Sequence, residues 1–269
     1  MTRSAGSPRG SARFQRMRWM YRTAFLLLLT VLVPSGQMVW AQADTGSLYY
    51  VTDREATITF ADDTTRTYVH PGFREPIMVL PGHDDVPSGW LRVRTLDGAH
   101  GFIRSDAVSN IWIRVSKSEQ TLHVYRGRDL IFDWPTDLGY NFFADKVKRG
   151  SAAEPDHWRT PEGEFFVVAK NPQSQFHRAF VLNYPNARNA ERGLEEGLIS
   201  EAEYDAITTA EAQFRVPPMS TALGGFIEIH GDGTGIRSNW TQGCIAITNT
   251  QVNTLWDMIQ VGTPVLIEP

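Results

Sequence analysis

Cysteine attacks as its thiolate, and an unassisted thiol with pKa about 8.5 is mostly protonated at neutral pH. Cys244 is the single cysteine of the chain, so any thiol chemistry is done there. A histidine within hydrogen-bond reach can take the thiol proton, and a third group must orient the imidazole. Seven histidines are available: His70, His83, His100, His123, His157, His177 and His230. Only His230 ends a β-rich run, residues 225–230, and faces a glycine-rich loop (Gly231, Gly233, Gly235) that leads back to the cysteine. Gly243 lets the backbone approach a ligand closely, and the amides of Gly243 and Cys244 are placed to face a developing oxyanion. By residue chemistry alone two readings stand. The pair is a nucleophile and its base, or a buried small residue and a satisfied strand-end histidine.

The elements that must position this pair are mostly strands. Residues 46–110 hold β-rich runs at 49–51, 56–60, 76–80, 90–93 and 102–103. Asp, Gly and Pro punctuate them at Asp62-Asp63, Pro71-Gly72, Pro81-Gly82 and Ser88-Gly89, and Asp97-Gly98 is a strong hairpin signal. Five short strands in so short a segment predict a small barrel. A new alternation starts after Asn110 with Ile111, Ile113, Val115, Leu122 and Val124, and residues 126–129 read as a hairpin turn. Residues 146–158 are polar and loop-like. Thr160-Pro161-Glu162-Gly163 precedes a strand at 164–169, and another follows at 180–184.

The period changes over 186–214. Ala190, Leu194, Leu198, Ile199, Tyr204 and Ile207 predict two short helices broken at Gly197, the second opened by Ser200 and Glu203 and ended before Pro217-Pro218. Such an insertion is either a lid or a connector packed on the sheet. Residues 250–259 have helical spacing, and 262–267 close the chain as a strand.

Composition limits the function classes. The chain has 269 residues, 42% apolar and 21% charged, which suits a globular protein of up to two domains. Residues 1–43 carry six arginines and no acid, then an apolar stretch at 24–33, a Pro34-Ser35-Gly36 break and Ala41-Gln42-Ala43. That order is a secretory signal peptide, with an uncleaved N-terminal anchor as the other reading. The expected compartment is the periplasm, without stable membrane insertion after cleavage. Beyond position 43 stand twenty basic against thirty acidic residues, a net charge of −10. An acidic protein has no general affinity for phosphate backbones, so nucleic acid is not an expected partner. A lone cysteine excludes an intrachain disulfide framework, and dispersed histidines give no metal-ligand spacing; neither metal nor cofactor is expected.

The chain resembles a known family at several points. Ile229-His230-Gly231, then Thr241-Gln242-Gly243-Cys244-Ile245, resembles the signature of YkuD-type L,D-transpeptidases. Thr160-Pro161-Glu162-Gly163 and Gly262-Thr263-Pro264-Val265 match turns of these domains, and the resemblance covers residues 110–269. It implies a mainly β chain: a small barrel over 46–110, then an L,D-transpeptidase β-sandwich over 111–269 with a short helical insertion. Residues Gly89 to Val93, Asp97-Gly98 and Gly101 to Ile103 resemble the second half of a bacterial SH3-like domain.

The resemblance also implies a substrate and roles. Family members attack peptidoglycan stem peptides after the third residue, usually meso-diaminopimelate, and form an acyl-enzyme on the cysteine. Cys244 is then the nucleophile and His230 the base. The Gly231 carbonyl orients the imidazole, with Asp232 as a competing orienter, and the Gly243 and Cys244 amides form the oxyanion hole. Gln242 stands where many members have Ser or His, and Ala246 where many have Arg. The run Gly243-Cys244-Ile245-Ala246, Tyr184-Pro185, the helical insert and Pro217-Pro218 with Gly224-Gly225 instead resemble a YafK-like branch that includes hydrolases releasing wall-linked protein, so the acceptor is an amine or water. Arg178, Arg237, Lys146 and Arg149 are candidate partners for stem carboxylates, because guanidinium grips carboxylate in bidentate fashion. Tyr184, Trp240, Thr241 and Gln242 are candidate cleft residues. A noncatalytic wall-binding protein is the contrasting reading. Sortase and NlpC/P60-type order fit poorly, lacking a later arginine and reversing Cys and His respectively.

Overall fold

The computed structural model describes residues 46–82 and 86–269. The leader expected over 1–43, and His83, lie outside the described residues. The first sheet is built from β1 (Ser47–Val51), β2 (Ile58–Phe60), β3 (Asp63–Val69), β4 (Pro76–Val79), β5 (Trp90–Thr95), β6 (His100–Arg104) and β7 (Val108–Ser109). Their order is β3-β2-β6-β5-β4-β1-β7, with antiparallel neighbours throughout. Val51, Ile58, Ile77, Val93 and Ile103 meet in a core of their own. Two strands appear beyond the five that the sequence predicts. β3 reads Asp-Thr-Thr-Arg-Thr-Tyr-Val and is largely exposed, so no apolar alternation marks it. Its β-branched threonines suit an extended edge strand.

The second sheet holds eight strands in the order β10-β9-β8-β17-β12-β13-β14-β16. These are β8 (Ile111–Ser116), β9 (Thr121–Arg126), β10 (Asp129–Pro135), β12 (Gly163–Ser174), β13 (His177–Leu182), β14 (Glu228–His230), β16 (Ile245–Ala246) and β17 (Pro264–Glu268). β11 (Leu138–Gly139) and β15 (Asn239–Thr241) pair separately in parallel. Alternation explains the placement: Ile111, Ile113 and Val115 of β8 face inward, while Trp112 stacks on its cross-strand partner Tyr125 at 4.2 Å on the other face. Ile113, Leu122, Val167, Leu182, Ile229 and Ile245 are wholly buried in one core, each contributing about 1.5–3 kcal/mol.

The insertion forms α1 (Ala187–Glu195) and α2 (Glu201–Ala212). Both open on capping boxes, Asn186 with Asn189 and Ser200 with Glu203, as the spacing of the second predicts. They close over Leu223 with Ala190, Ile199 and Ile207. Gly193 is required there, since a Cβ would lie 2.7 Å from Leu223. α3 (Asn249–Leu255) is capped by Thr248 and stops short of the predicted residue 259, although Ile259 is still buried.

The first sheet contacts the second part of the chain through polar and cation–π links. Tyr50 donates to the Ile111 carbonyl at 2.7 Å, and Arg74 to the Gly262 carbonyl at 3.1 Å. Arg54 donates to the Phe214 carbonyl at 2.8 Å, just beyond α2. The Arg54 guanidinium lies 4.4 Å from the Phe73 ring centre, and that of Arg74 lies 4.2 Å from Phe166. The first sheet thus reaches the residues just beyond α2 through Arg54, and β12 and the turn before β17 through Arg74.

Candidate active site

β14 and β16 run in parallel with His230 opposite Ala246 and Ile229 opposite Ile245. Adjacent strands lie about 4.8 Å apart. Cys244, one residue before β16, is therefore brought to the same sheet end as the histidine. A cleft of about 700 Å³ opens there, lined by Cys244, His230, Glu228, Phe176, Trp240 and Gln242 among others.

His230 is 1% exposed. Its Nδ1 donates to the Gly231 carbonyl at 2.7 Å. A carbonyl only accepts, so Nδ1 carries the proton and Nε2 of the neutral ring is the acceptor. Nε2 has no hydrogen-bond partner among the described residues. Burial pulls the His230 pKa below its ordinary value, against the Gly231 hydrogen bond and the charges of Asp232 and Asp137, so the ring is neutral at pH 7. Phe176 stacks on the imidazole, centres 4.4 Å apart, and Trp240 meets it edge-on at 6.0 Å.

Cys244 is half-buried, and Sγ donates to the Phe226 carbonyl at 3.2 Å. Burial pushes the thiol up to about 12, opposed first by the hydrogen bond to the Glu228 backbone and less by the Lys146 ammonium, and reinforced by the Glu228 carboxylate. The resting sulfur is a thiol, and a base must act before it attacks. Thr241 fixes the turn before it: its hydroxyl donates to the Cys244 carbonyl at 2.7 Å and accepts from the Gly243 amide at 3.2 Å. Gly243 has φ +129, and a Cβ there would lie 2.5 Å from the Arg159 carbonyl oxygen.

The loop between histidine and cysteine is pinned by Asp137, fully buried beside β11. Its carboxylate accepts from the Thr234 amide and hydroxyl, both 2.7 Å, the Ser238 amide at 2.9 Å and Trp240 Nε1 at 2.8 Å. Burial pushes this carboxyl up, but the hydrogen bonds outweigh it and hold the group below the usual range.

Several sequence expectations need correction. The Gly243 amide is turned to Thr241, which leaves the Cys244 amide, without a partner among the described residues, as the remaining oxyanion donor of the two. Tyr184 does not line the cleft; it is fully buried and donates to the Leu223 carbonyl at 2.9 Å. Arg178 lies outside the cleft lining, its guanidinium 4.9 Å from the Trp256 ring centre. Arg237 also lies outside it, tied to the Glu119 carbonyl at 2.9 Å. Asp232 accepts from Asn249 at 2.9 Å, while the Gly231 carbonyl takes the imidazole proton. Lys146 is buried rather than extended toward solvent. Arg149 does line the cleft, but its side chain holds the Thr221 and Met219 carbonyls at 3.2 and 3.1 Å. Trp240, Thr241 and Gln242 do line it. Sequence reasoning missed Phe176, Glu228 and Asp137. Glu228 sits two residues before His230 on one strand, so period two was the available signal; Phe176 and Asp137 carry none.

The model of the YkuD L,D-transpeptidase catalytic domain matches residues 110–267. The chain belongs to the YkuD L,D-transpeptidase family. No curated protein sequence matches the chain. Among solved structures, it is similar to Bd1075 of Bdellovibrio bacteriovorus, at 24% identity over 61% of this chain and 49% of that one, TM-score 0.39. An L,D-transpeptidase of Xylanimonas cellulosilytica aligns at 16% identity over 60% and 61%, TM-score 0.35. The helical cell shape determining protein Pgp2 of Campylobacter jejuni aligns at 21% over 59% and 47%, TM-score 0.38. The chain spans about half to three-fifths of the length of these structures.

Proposed function

We propose that this protein is an exported L,D-transpeptidase that works on peptidoglycan stem peptides through a thioester at Cys244. One observation carries the reading: the chain's single thiol shares a cleft with a histidine whose Nδ1 proton is committed to the Gly231 carbonyl. That commitment makes Nε2 the base. It accepts the thiol proton, and the thiolate attacks the carbonyl of the L,D bond after the third stem residue. The Cys244 amide stabilises the oxyanion. As the tetrahedral intermediate collapses, the C–N bond breaks and His230 returns the proton to the departing amine. An acceptor amine then attacks the thioester, loses a proton to His230 and restores the thiol.

Water in place of the amine gives the hydrolytic reading: an L,D-carboxypeptidase, an endopeptidase or an amidase releasing wall-linked protein. The resemblance of Gly243-Cys244-Ile245-Ala246, Tyr184-Pro185 and the helical insert to the YafK-like branch supports it. The basic-then-apolar leader supports periplasmic residence, and the Asp97-Gly98 hairpin with its flanking strands supports an SH3-like domain that binds wall or positions the catalytic part.

The test is mass spectrometry of muropeptides incubated with purified wild type and Cys244→Ala. Tetrapeptide monomers, cross-linked dimers and protein-linked tripeptides are supplied. Cysteine-dependent 3–3 dimers or amine adducts establish the transpeptidase. Cysteine-dependent loss of terminal D-Ala, cleaved 3–3 links or released protein, without adducts, establishes the hydrolase. Activity undiminished in Cys244→Ala ends the thioester mechanism, and no turnover of any substrate favours a noncatalytic wall-binding protein.

A further inference from the structure

Glu228 stands two residues before His230 on β14 and is half-buried. Ile229 between them packs into the core, so Glu228 and His230 share the other face, and both line the cleft. The register that sets Ile229 opposite Ile245 brings Glu228 level with Cys244. The sulfur touches this same stretch of backbone. Sγ donates to the Phe226 carbonyl at 3.2 Å and is hydrogen-bonded to the Glu228 backbone. The Glu228 side chain therefore leaves the strand beside any acyl group carried on sulfur.

The fold makes no use of that side chain. Among the described residues no hydrogen bond or ion pair reaches its carboxylate. Other half-buried glutamates are employed: Glu162 accepts from Lys117 at 2.6 Å, and Glu211 from the Ala187 amide at 2.6 Å. The charged or titratable groups that line the cleft with Glu228 are Arg149, His230 and Cys244, and Lys146 acts on the sulfur from the β11–β12 loop. Arg149 donates to the Thr221 and Met219 carbonyls at 3.2 and 3.1 Å. Burial raises the Glu228 pKa from its ordinary value, which makes the carboxylate a stronger base. A half-buried carboxylate without a partner, in an open cleft, is a place for a cation.

The acceptor amine supplies one. A primary amine is protonated at pH 7 and has no electron pair with which to attack. It must lose two protons on the way to an amide. His230 can take only one, because Nδ1 is already protonated and committed to the Gly231 carbonyl.

We propose that Glu228 is the catalytic base for the acceptor, binding the incoming ammonium and taking its first proton. The freed electron pair on nitrogen attacks the thioester carbon, and the C–N bond forms as charge moves to the carbonyl oxygen. His230 Nε2 takes the second proton and passes it to sulfur as the C–S bond breaks. The Glu228 proton returns to water. The inference rests on the thioester at Cys244 and names the group that favours an amine over water.

The test is a competition read by mass spectrometry. Purified protein is given tetrapeptide monomers together with hydroxylamine. The monomer offers a protonated amine and yields 3–3 dimers, whereas hydroxylamine is neutral at pH 7 and yields a hydroxamate. Both products come from one thioester, so their ratio is independent of how fast the thioester forms. Glu228→Gln is expected to lower the dimer-to-hydroxamate ratio about tenfold or more at pH 7. Glu228→Asp, which keeps the charge, is expected to lower it less. An unchanged ratio in Glu228→Gln overturns the proposal. Should that variant fail to fold, the wild type decides. With a carboxylate as base the ratio is expected to stay flat between about pH 7 and 8.5, because ammonium and carboxylate are both already in their reacting forms. A ratio that climbs roughly tenfold per pH unit, following free amine, overturns the proposal. Hydroxamate without dimers from the wild type also overturns it and leaves the thioester standing. No cysteine-dependent product of any kind removes the thioester reading and this inference together.

Discussion

Lys117 and Lys146 are both nearly dry, at 1% and 3% exposure, yet their surroundings differ. Lys117 donates to Glu162 at 2.6 Å and to the Ala144 carbonyl at 2.8 Å. Lys146 has a single carbonyl at 3.3 Å. Burial depresses both pKa values, and at Lys117 the Glu162 carboxylate pulls back toward the charged form. Asp137 marks the satisfied extreme, with four hydrogen bonds on one carboxylate. A buried charge with a full set of partners holds the fold, whereas one without them is a cost that the fold alone does not explain. The difference separates buried ions that are fully partnered from one whose charge the fold leaves largely unanswered.

Substitutions can break this contrast. Asp137→Ala strips the acceptor from four donor groups on Thr234, Ser238 and Trp240 and should cost about 3–5 kcal/mol in denaturant unfolding. Because the Asp137 pKa is depressed, its contribution is present above the ordinary carboxylate pKa and lost as pH falls through the lower folded value. The wild-type stability curve should therefore fall more steeply below about pH 4 than that of Asp137→Ala.

Lys146→Met should go the other way and stabilise the protein by about 2–4 kcal/mol at pH 7. The sign follows from a folded pKa of about 8 against an ordinary 10.5. Between those values the unfolded chain binds more protons than the folded one, so wild-type stability rises with pH across that window. In the variant this rise should vanish. A Lys146→Met protein less stable than wild type at pH 7 would place the two lysines in one class. Lys117→Met leaves Glu162 without its cation and should destabilise by about 1–3 kcal/mol, measured the same way. The smallest effect is expected from Trp240→Phe. It keeps a ring edge against His230 and loses one of four hydrogen bonds to Asp137, costing about 1 kcal/mol and a few-fold in turnover.

The mainly β fold was legible because apolar side chains alternate in β8 and β9 and run unbroken from Phe165 to Ala169 in β12, and because hairpins announce themselves at Asp97-Gly98 and Gly127. The helical pair was legible from its caps. β3 was hidden because an exposed strand of threonines has no pattern to display. Within the cleft, His230 and Cys244 stood out through their flanking glycines. Lys146 could be named but not placed: a loop with no periodicity gives no way to tell a solvated lysine from a buried one. Tyr184 misled for the same reason, since an aromatic beside proline reads alike in a core and in a cleft. Asp137 and Phe176 meet the loop only through folding, at separations no local pattern encodes.

The parallel pairing of β14 with β16 has a consequence for how this site can vary over generations. Spacing between the two reactive residues is set by the ladder, Ile229 against Ile245 and His230 against Ala246. The intervening chain is an excursion that leaves the ladder and returns to it. Insertions between Thr234 and Ser238, whose amides grip Asp137, can lengthen that excursion without disturbing the spacing at its base. Selection can thus remodel the surface beside the cleft while inheriting the reactive pair unchanged, a tolerance written into strand order.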